Sequence, residues 1–327
     1  MMALVLVLAF ATACGAPNPS DATIAPGVTI ADRAIGGLTP AQVRVVLETL
    51  AHDMDTPARD ASVDPDTKGL VPAIDGVRLD VDATLARIRA AGPSTIVQPV
   101  LVVVLPKVTL GDLPAAPIYQ GAPSRYSVAL VINVAWGEEY LNQMLQTLQT
   151  TDTTASFCLV GAWAKVHSAD VATMVAVSRS VETPFEFCNH GYRDHGWAHL
   201  SESQAYASIT HADQVIEQLT GQKPAYFSPH KGEWNQAVLA ASRRAGHQMI
   251  LWSVDTIDWQ NPAPATILQR VLRKVGPGSI VLMHPTASTA QALPALIAEI
   301  RAKGLRLVTL SQLLSPSGDP LASPESG

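Results

Sequence analysis

The chain has 327 residues, 47% of them hydrophobic and 15% charged, with a formal net charge of -6. That length exceeds one average domain, and the apolar content is ample for a packed core, which excludes a disordered chain. No basic block accompanies the acidic balance, so nucleic acid is excluded as a partner.

Residues 1–14 carry an apolar run that ends in Thr12-Ala13-Cys14. The run is too short to span a bilayer and suits the apolar region of a signal peptide. Small residues leading into a cysteine resemble a bacterial lipoprotein signal. That resemblance implies acylation of Cys14, export, and a lipid anchor on the outer face of the cytoplasmic membrane as the link to a membrane. Residues 15–24 follow as a linker of Gly, Pro, Asn and Ser. Of three cysteines, Cys158 and Cys188 remain, too few for a disulfide scaffold. Both fall on strands expected to be neighbours; buried free thiols are the expected state, with pairing left open.

Residues 25–106 read as a small α+β domain. It opens with a strand at Val28-Thr29-Ile30 and a turn at Gly36-Gly37. A helix from about Ala41 to His52 follows, with Thr39 as N-cap and Pro40 at its first position. A strand at residues 77–82, a helix at 83–91 capped by Asp82, and an apolar strand at 100–105 complete it. Residues 107–126 lack periodicity, are dense in proline and read as an ordered linker.

From 127 to 314 strands alternate with helices, and 315–327 is a flexible tail. The predicted strands are 128–134, 156–160, 185–189, 225–227, 249–254, 279–283 and 305–310. The predicted helices between them are 139–148, 169–181, 203–219, 236–245, 265–275 and 292–303. Such βα units without a dinucleotide-binding glycine fingerprint predict an α/β fold, a distorted (β/α)7-type barrel with a small N-terminal α+β domain. Barrels of this kind work at the ends of their strands, so polar residues directly after each strand are the candidates.

Four strand ends carry such groups: Asn133; Asn189-His190 through Asp194-His195; Asp255 and Asp258 beside Trp259; and His284. A barrel delivers all of them to a single mouth, where a histidine with an orienting carboxylate and a His/Asp/His corner can form. Here the chain resembles the polysaccharide-deacetylase (NodB-homology) family of carbohydrate esterases. The resemblance runs through Val128-Ala129-Leu130 with its strand-end polar residue, Ala155-Ser156-Phe157-Cys158, Asn189-His190-Gly191-Tyr192, Trp252 to Trp259, and Leu282-Met283-His284. A closer resemblance is to the sporulation-associated branch found in endospore-forming bacteria. It rests on Pro106-Lys107-Val108-Thr109-Leu110, Ala116-Pro117-Ile118-Tyr119, Ile132 to Gly137, and His284 to Thr289. Gly36 to Pro40 and Leu79 to Thr84 resemble peptidoglycan-binding modules.

The resemblance implies removal of N-acetyl groups from peptidoglycan or chitin-like sugars, with one divalent metal, zinc first. A metal polarises the poor amide electrophile and lowers the pKa of a bound water; an Asp takes the water proton and a His protonates the leaving amine. Carried over, His284 matches the acid, and Asp255 or Asp258 matches its orienting carboxylate. His190 matches the first metal histidine, and the second falls on Asp194, with His195 one place later. The base position holds Asn133 and the metal-Asp position holds Val134, neither of which does that chemistry. The family's substrate-side arginine falls on Ser228, beside His230 and Lys231. Trp136, Trp197 and Trp259 suit stacking on sugar rings. Two readings follow: a hydrolase with a degraded first motif, or an impaired barrel that binds cell-wall polysaccharide.

Overall fold

Thr39 starts the first helix as the sequence predicts, with Gln42 closing a capping box around it. The computed structural model describes residues 22–317, so Cys14, its signal segment and the end of the tail lie outside the described residues. Two units form: described residues through Pro57 together with Gly76–Val104, and Ala58–Asp75 together with Leu105 onward.

In the first unit β1 (Thr29–Ile30) pairs with β2 (Arg33–Ala34), and α1 spans Pro40–Met54. Next in sequence, β3 (Ser62–Val63) and β4 (Leu70–Val71) form an antiparallel pair that belongs to the second unit. Then come β5 (Gly76–Leu79), α2 (Val81–Ala90), β6 (Ile96–Val97) and β7 (Leu101–Val104), with β5 antiparallel to β7 and β6 parallel to β1. Val43, Leu47 and Leu50 of α1 pack with Ile30, Leu85 and Ile88 as this unit's core. The cap of α2 is Asp80, which accepts the Ala83 N–H at 2.9 Å, and not Asp82, because the helix begins earlier than its apolar spacing suggests.

The stretch read as a linker is part of the second unit. The Ile118 N–H donates to Met249 and its carbonyl accepts from Leu251, while the Leu70 N–H donates to Pro117. The expected 25–106 domain thereby gives up residues 58–75.

The second unit is a curled parallel sheet wrapped by helices. Its strands are β8 (Ser127–Val134), β9 (Ser156–Leu159), β10 (Glu186–Asn189), β11 (Tyr226–Phe227), β12 (Gln248–Met249), β13 (Val254–Asp255), β14 (Ile280–Met283) and β15 (Arg306–Val308). They run in the order β12-β11-β10-β9-β8-β14-β13, with β15 also pairing β8. The expected single strand at 249–254 is therefore two short ones. Ile250 and Leu251 between them take backbone partners from Phe227 and Ile118 instead of continuing the ladder. The helices are α3 (Glu138–Thr150), α4 (Gly161–Val166), α5 (Ser168–Ser178), α6 (Glu202–Thr220), α7 (Gln236–Arg244), α8 (Pro264–Lys274), α9 (Ala287–Ala302) and α10 (Leu310–Leu314).

Every residue of β8 is buried, as expected for a strand covered on both faces. Val128, Leu130, Ile132 and Val134 join the layer beneath the helices, with Leu141, Met144 and Leu296. Ala129 and Val131 face the interior with Cys158, Cys188, Ile250 and Ile280. Asn133 shares the interior parity.

Candidate active site

The β13–β14 corner is built around one carboxylate. Asp255 ends β13, and its Oδ1 accepts the Ile257 N–H at 2.7 Å. Ile257 sits at φ 52°, a left-handed conformation that a β-branched side chain rarely adopts. The turn so held delivers Asp258, which is fully buried. Asp258 accepts from His284 Nδ1–H at 2.8 Å, from the His284 N–H at 2.7 Å and from the Thr289 hydroxyl at 2.5 Å. Of the two aspartates left open by the sequence, Asp258 meets His284 and Asp255 shapes the turn.

A carboxylate only accepts, so His284 carries its proton on Nδ1 and leaves Nε2 for the mouth. Burial pushes the Asp258 carboxyl up. The His284 ring's hydrogen bond and charge, the Thr289 hydroxyl and the His284 N–H outweigh it and hold the group below its ordinary value. Trp136, which follows β8, stacks on the His284 ring with centroids 5.7 Å apart and planes 9° from parallel. The corner can exchange a proton with a ligand lying against Nε2.

The β10–β11 corner is built differently. His190 is 2% exposed, and its Nδ1 lies 2.6 Å from the Ser228 carbonyl. A carbonyl accepts, so Nδ1 holds the proton and Nε2 is the free lone pair, the tautomer of a ligating histidine. Burial, then the neighbouring His230, push His190 down to about 3, against the opposing Ser228 bond, so the ring is neutral. Asp194 does not meet His190: its Oδ1 lies 2.6 Å from His230 Nε2. His195 turns aside to pack on Trp197 and to bond the Gly196 carbonyl.

A divalent metal does not fit these residues. Val134, at the position of the family's metal carboxylate, lies in the apolar layer beneath the helices. Asp194 is taken by His230. Among the described residues no group of three or more His, Cys, Asp or Glu is arranged to hold an ion.

Asn133 is 3% exposed, its Oδ1 buried without a partner. It stands in register with Cys158 on β9, and Cys158 with Cys188 on β10. The two cysteines are joined as a disulfide, not free thiols: in-register neighbours bring their Cα atoms to 4.2 Å. Ser228 is fully buried with an unpartnered hydroxyl. Trp197, expected to suit stacking on a sugar ring, is instead fully buried against Phe227, while Trp136 and Trp259 are 38% and 57% exposed. Sequence reasoning passed over Thr289 and Glu233. Glu233 takes the Trp197 N–H at 3.2 Å. Thr289 had a signal in the spacing of Thr286 and Thr289, since Thr286 accepts the Thr289 N–H as the cap of α9. Glu233 had none.

Residues 120–250 match the family described as Polysaccharide deacetylase, and residues 38–97 match the one described as "Putative peptidoglycan binding domain". The protein YlxY of Bacillus subtilis is 35% identical over 81% of this chain and 81% of its own length. A peptidoglycan-N-acetylglucosamine deacetylase of Bacillus cereus is 26% identical over 61% of this chain and 72% of its own. Among solved structures, BA3943 of Bacillus anthracis, described as a CE4 family pseudoenzyme, aligns with TM-score 0.73 and 32% identity over 85% of this chain and 96% of that one. A BA3943 mutant described as having restored enzymatic activity aligns at 0.72 with 31% identity, over 85% of this chain and 99% of that one. The chain belongs to the polysaccharide deacetylase family, CE4, whose members are in general metal-dependent.

Proposed function

We propose that this protein is an exported deacetylase-family barrel that holds N-acetylated cell-wall polysaccharide at its mouth, with metal-assisted hydrolysis impaired. The observation that carries this reading is the contrast at the strand ends. His284 and Asp258 keep the acid arrangement, while Asn133 and Val134 replace the base and a metal carboxylate. Amide hydrolysis needs a polarised carbonyl and a base as well as an acid, and the base alone is worth roughly 10²–10⁴-fold.

The peptidoglycan named for the Bacillus cereus relative, and the match at residues 38–97, support cell-wall polysaccharide as the partner. Exposed Trp136 and Trp259 would stack on its sugar rings, with His230 lining the same mouth. The zinc implied by the sequence resemblance would bind weakly or not at all. The disulfide supports an oxidising, exported setting. Lipid attachment at Cys14 and membership of the sporulation-associated branch remain parts of this proposal. A Cys14→Ser variant released from the membrane fraction tests the first; loss of spore cortex modification on gene deletion tests the second.

The test of the main reading is acetate release and calorimetric binding measured together on N-acetylated chito-oligosaccharides. Binding without release is expected from the wild type. Asn133→Asp points a carboxylate into the mouth, and combined with His230→Ala, which frees Asp194, it should raise turnover in added divalent metal if the acid corner is still competent. That a BA3943 mutant is described with restored activity supports such recovery in a barrel of this kind. Rapid, metal-stimulated acetate release by the wild type would overturn the reading.

A further inference from the structure

Asp194 falls, by resemblance, where the family's second metal ligand stands, yet its carboxylate is already engaged by His230 at 2.6 Å. We infer that His230 is a built-in replacement for the family's divalent ion: it satisfies Asp194 and closes the metal corner, so the wild-type chain holds no metal there. This deepens the proposed function and rests on its reading of the metal step as lost.

The His190 and His230 ring centroids lie 5.4 Å apart, so His230 lies against both His190 and, through Nε2, the Asp194 carboxylate. A nitrogen that donates its proton to a carboxylate has no lone pair left for a metal. With Nε2–H given to Asp194, only Nδ1 of His230 remains, and it is buried without a partner.

The loop that presents His230 is constructed for the purpose. Lys231 and Gly232 follow it at φ 56° and 68°, two consecutive left-handed residues. A Cβ on Gly232 would come within 2.9 Å of the Trp252 ring, so the loop can pass only as glycine there. The same loop is fastened to the one carrying Asp194 at three further points. The Ser228 carbonyl holds His190, Glu233 takes the Trp197 N–H, and Asn235 Nδ2 donates to the Ala198 and Leu200 carbonyls. Chain in a costly conformation is kept where its surroundings over-determine it, and what this segment delivers to the mouth is the His230 ring.

The test is zinc affinity of the full chain, measured by competition with a chromophoric chelator, with melting temperature in zinc and in chelator as a second readout. The variants are Asn133→Asp, which adds an inward carboxylate, His230→Ala, which frees Asp194, and the two combined. The wild type should not take zinc from the chelator, and its melting temperature should be the same in both media. The combined variant should bind about tenfold more tightly than the two single effects multiplied together, because the substitutions act on one shared site. His230→Gln keeps a donor near Asp194, preserves the fold if the alanine variant fails, and should add nothing to Asn133→Asp. Wild-type zinc binding that His230→Ala abolishes would make His230 a ligand and overturn the inference. Single effects that simply multiply would overturn it as well. Because the readout is zinc and not turnover, a wild type that hydrolyses without metal would sink the functional reading and leave this result standing.

Discussion

Two strand ends of the barrel mouth stand in opposite states: the β13–β14 corner holds a carboxylate beside a histidine, and the end of β8 holds an unpartnered amide. At β13–β14 the carboxylate of Asp258 is wired into the fold itself. It holds the His284 main chain as well as its ring, and it bonds Thr289 in the first turn of α9. At the end of β8 no carboxylate stands: Val134 lies in an apolar layer, and Asn133 has a buried oxygen with no partner. The difference teaches which catalytic groups can be lost cheaply. A carboxylate whose only partner is a metal ion becomes an unpaired buried charge once the ion is gone, and replacing it relieves the fold. A carboxylate that also caps backbone and hydroxyl donors cannot be removed without orphaning those donors.

The largest effect that can break this comparison is Asp258→Asn. Removing one partner of a buried pair costs about 3–5 kcal/mol, and a denaturant midpoint should fall accordingly with its slope unchanged. A loss within the range of an ordinary surface change would mean that Asp258 is kept for chemistry alone. The reverse substitution at the other corner, Asn133→Asp, should also destabilise, by at least about 1–3 kcal/mol, since no cation meets the new charge. The same exchange of amide and acid thus costs stability in opposite directions at the two corners. An Asn133→Asp variant as stable as wild type in chelator would show that a hidden donor already waits there.

This asymmetry was only half legible in the sequence. Period and capping located most of the strands and helices because they are local, as Thr39 with Gln42 shows, but not β3, β4, α4 or α10. The approach of His284 to an aspartate was readable from strand-end placement, but the choice between Asp255 and Asp258 was not. That choice is made by a left-handed Ile257 which no propensity favours. The Asp194–His230 contact joins two loops of irregular backbone, where no periodicity exists to place a side chain. Val134 was readable as a lost ligand by type, but its direction, into the helix-facing layer, followed from pairing through the last residue of β8. The disulfide depended on strand register, and a slip of one residue would have separated the two sulfurs.

The acid dependence of stability sharpens the contrast further. Asp258 is held below its ordinary value of 3.8 in the folded chain. Below that ordinary value the unfolded state takes up the proton first, so it binds more protons and stability falls as pH falls. The contribution is complete above about pH 5 and is lost as pH drops through the folded value. The stability gap between wild type and Asp258→Asn should therefore be constant near neutrality and narrow below pH 3.8. A gap that keeps its size at pH 2 would mean that packing, not charge, is what Asp258 supplies.

The smallest effect tests whether the retained corner still meets a ligand. Trp136 lies over the His284 ring and keeps 38% of its surface open, so one face is committed to the corner and the rest is available to a sugar. Trp136→Ala should weaken binding of an N-acetylated chito-oligosaccharide by about 0.5–1.5 kcal/mol, the usual worth of one aromatic stack. Trp136→Phe should recover most of it, because a flat ring over His284 is what the geometry requires. Trp259, 57% exposed on the turn that carries Asp258, reports on the other side of the same corner. If the polysaccharide runs across His284, both tryptophans should matter, with Trp136 the larger. Normal affinity in Trp136→Ala with loss in Trp259→Ala would move the groove away from β8. Normal affinity in both would separate the geometry of the acid corner from any sugar at the mouth, and would leave Asp258 explained by stability alone.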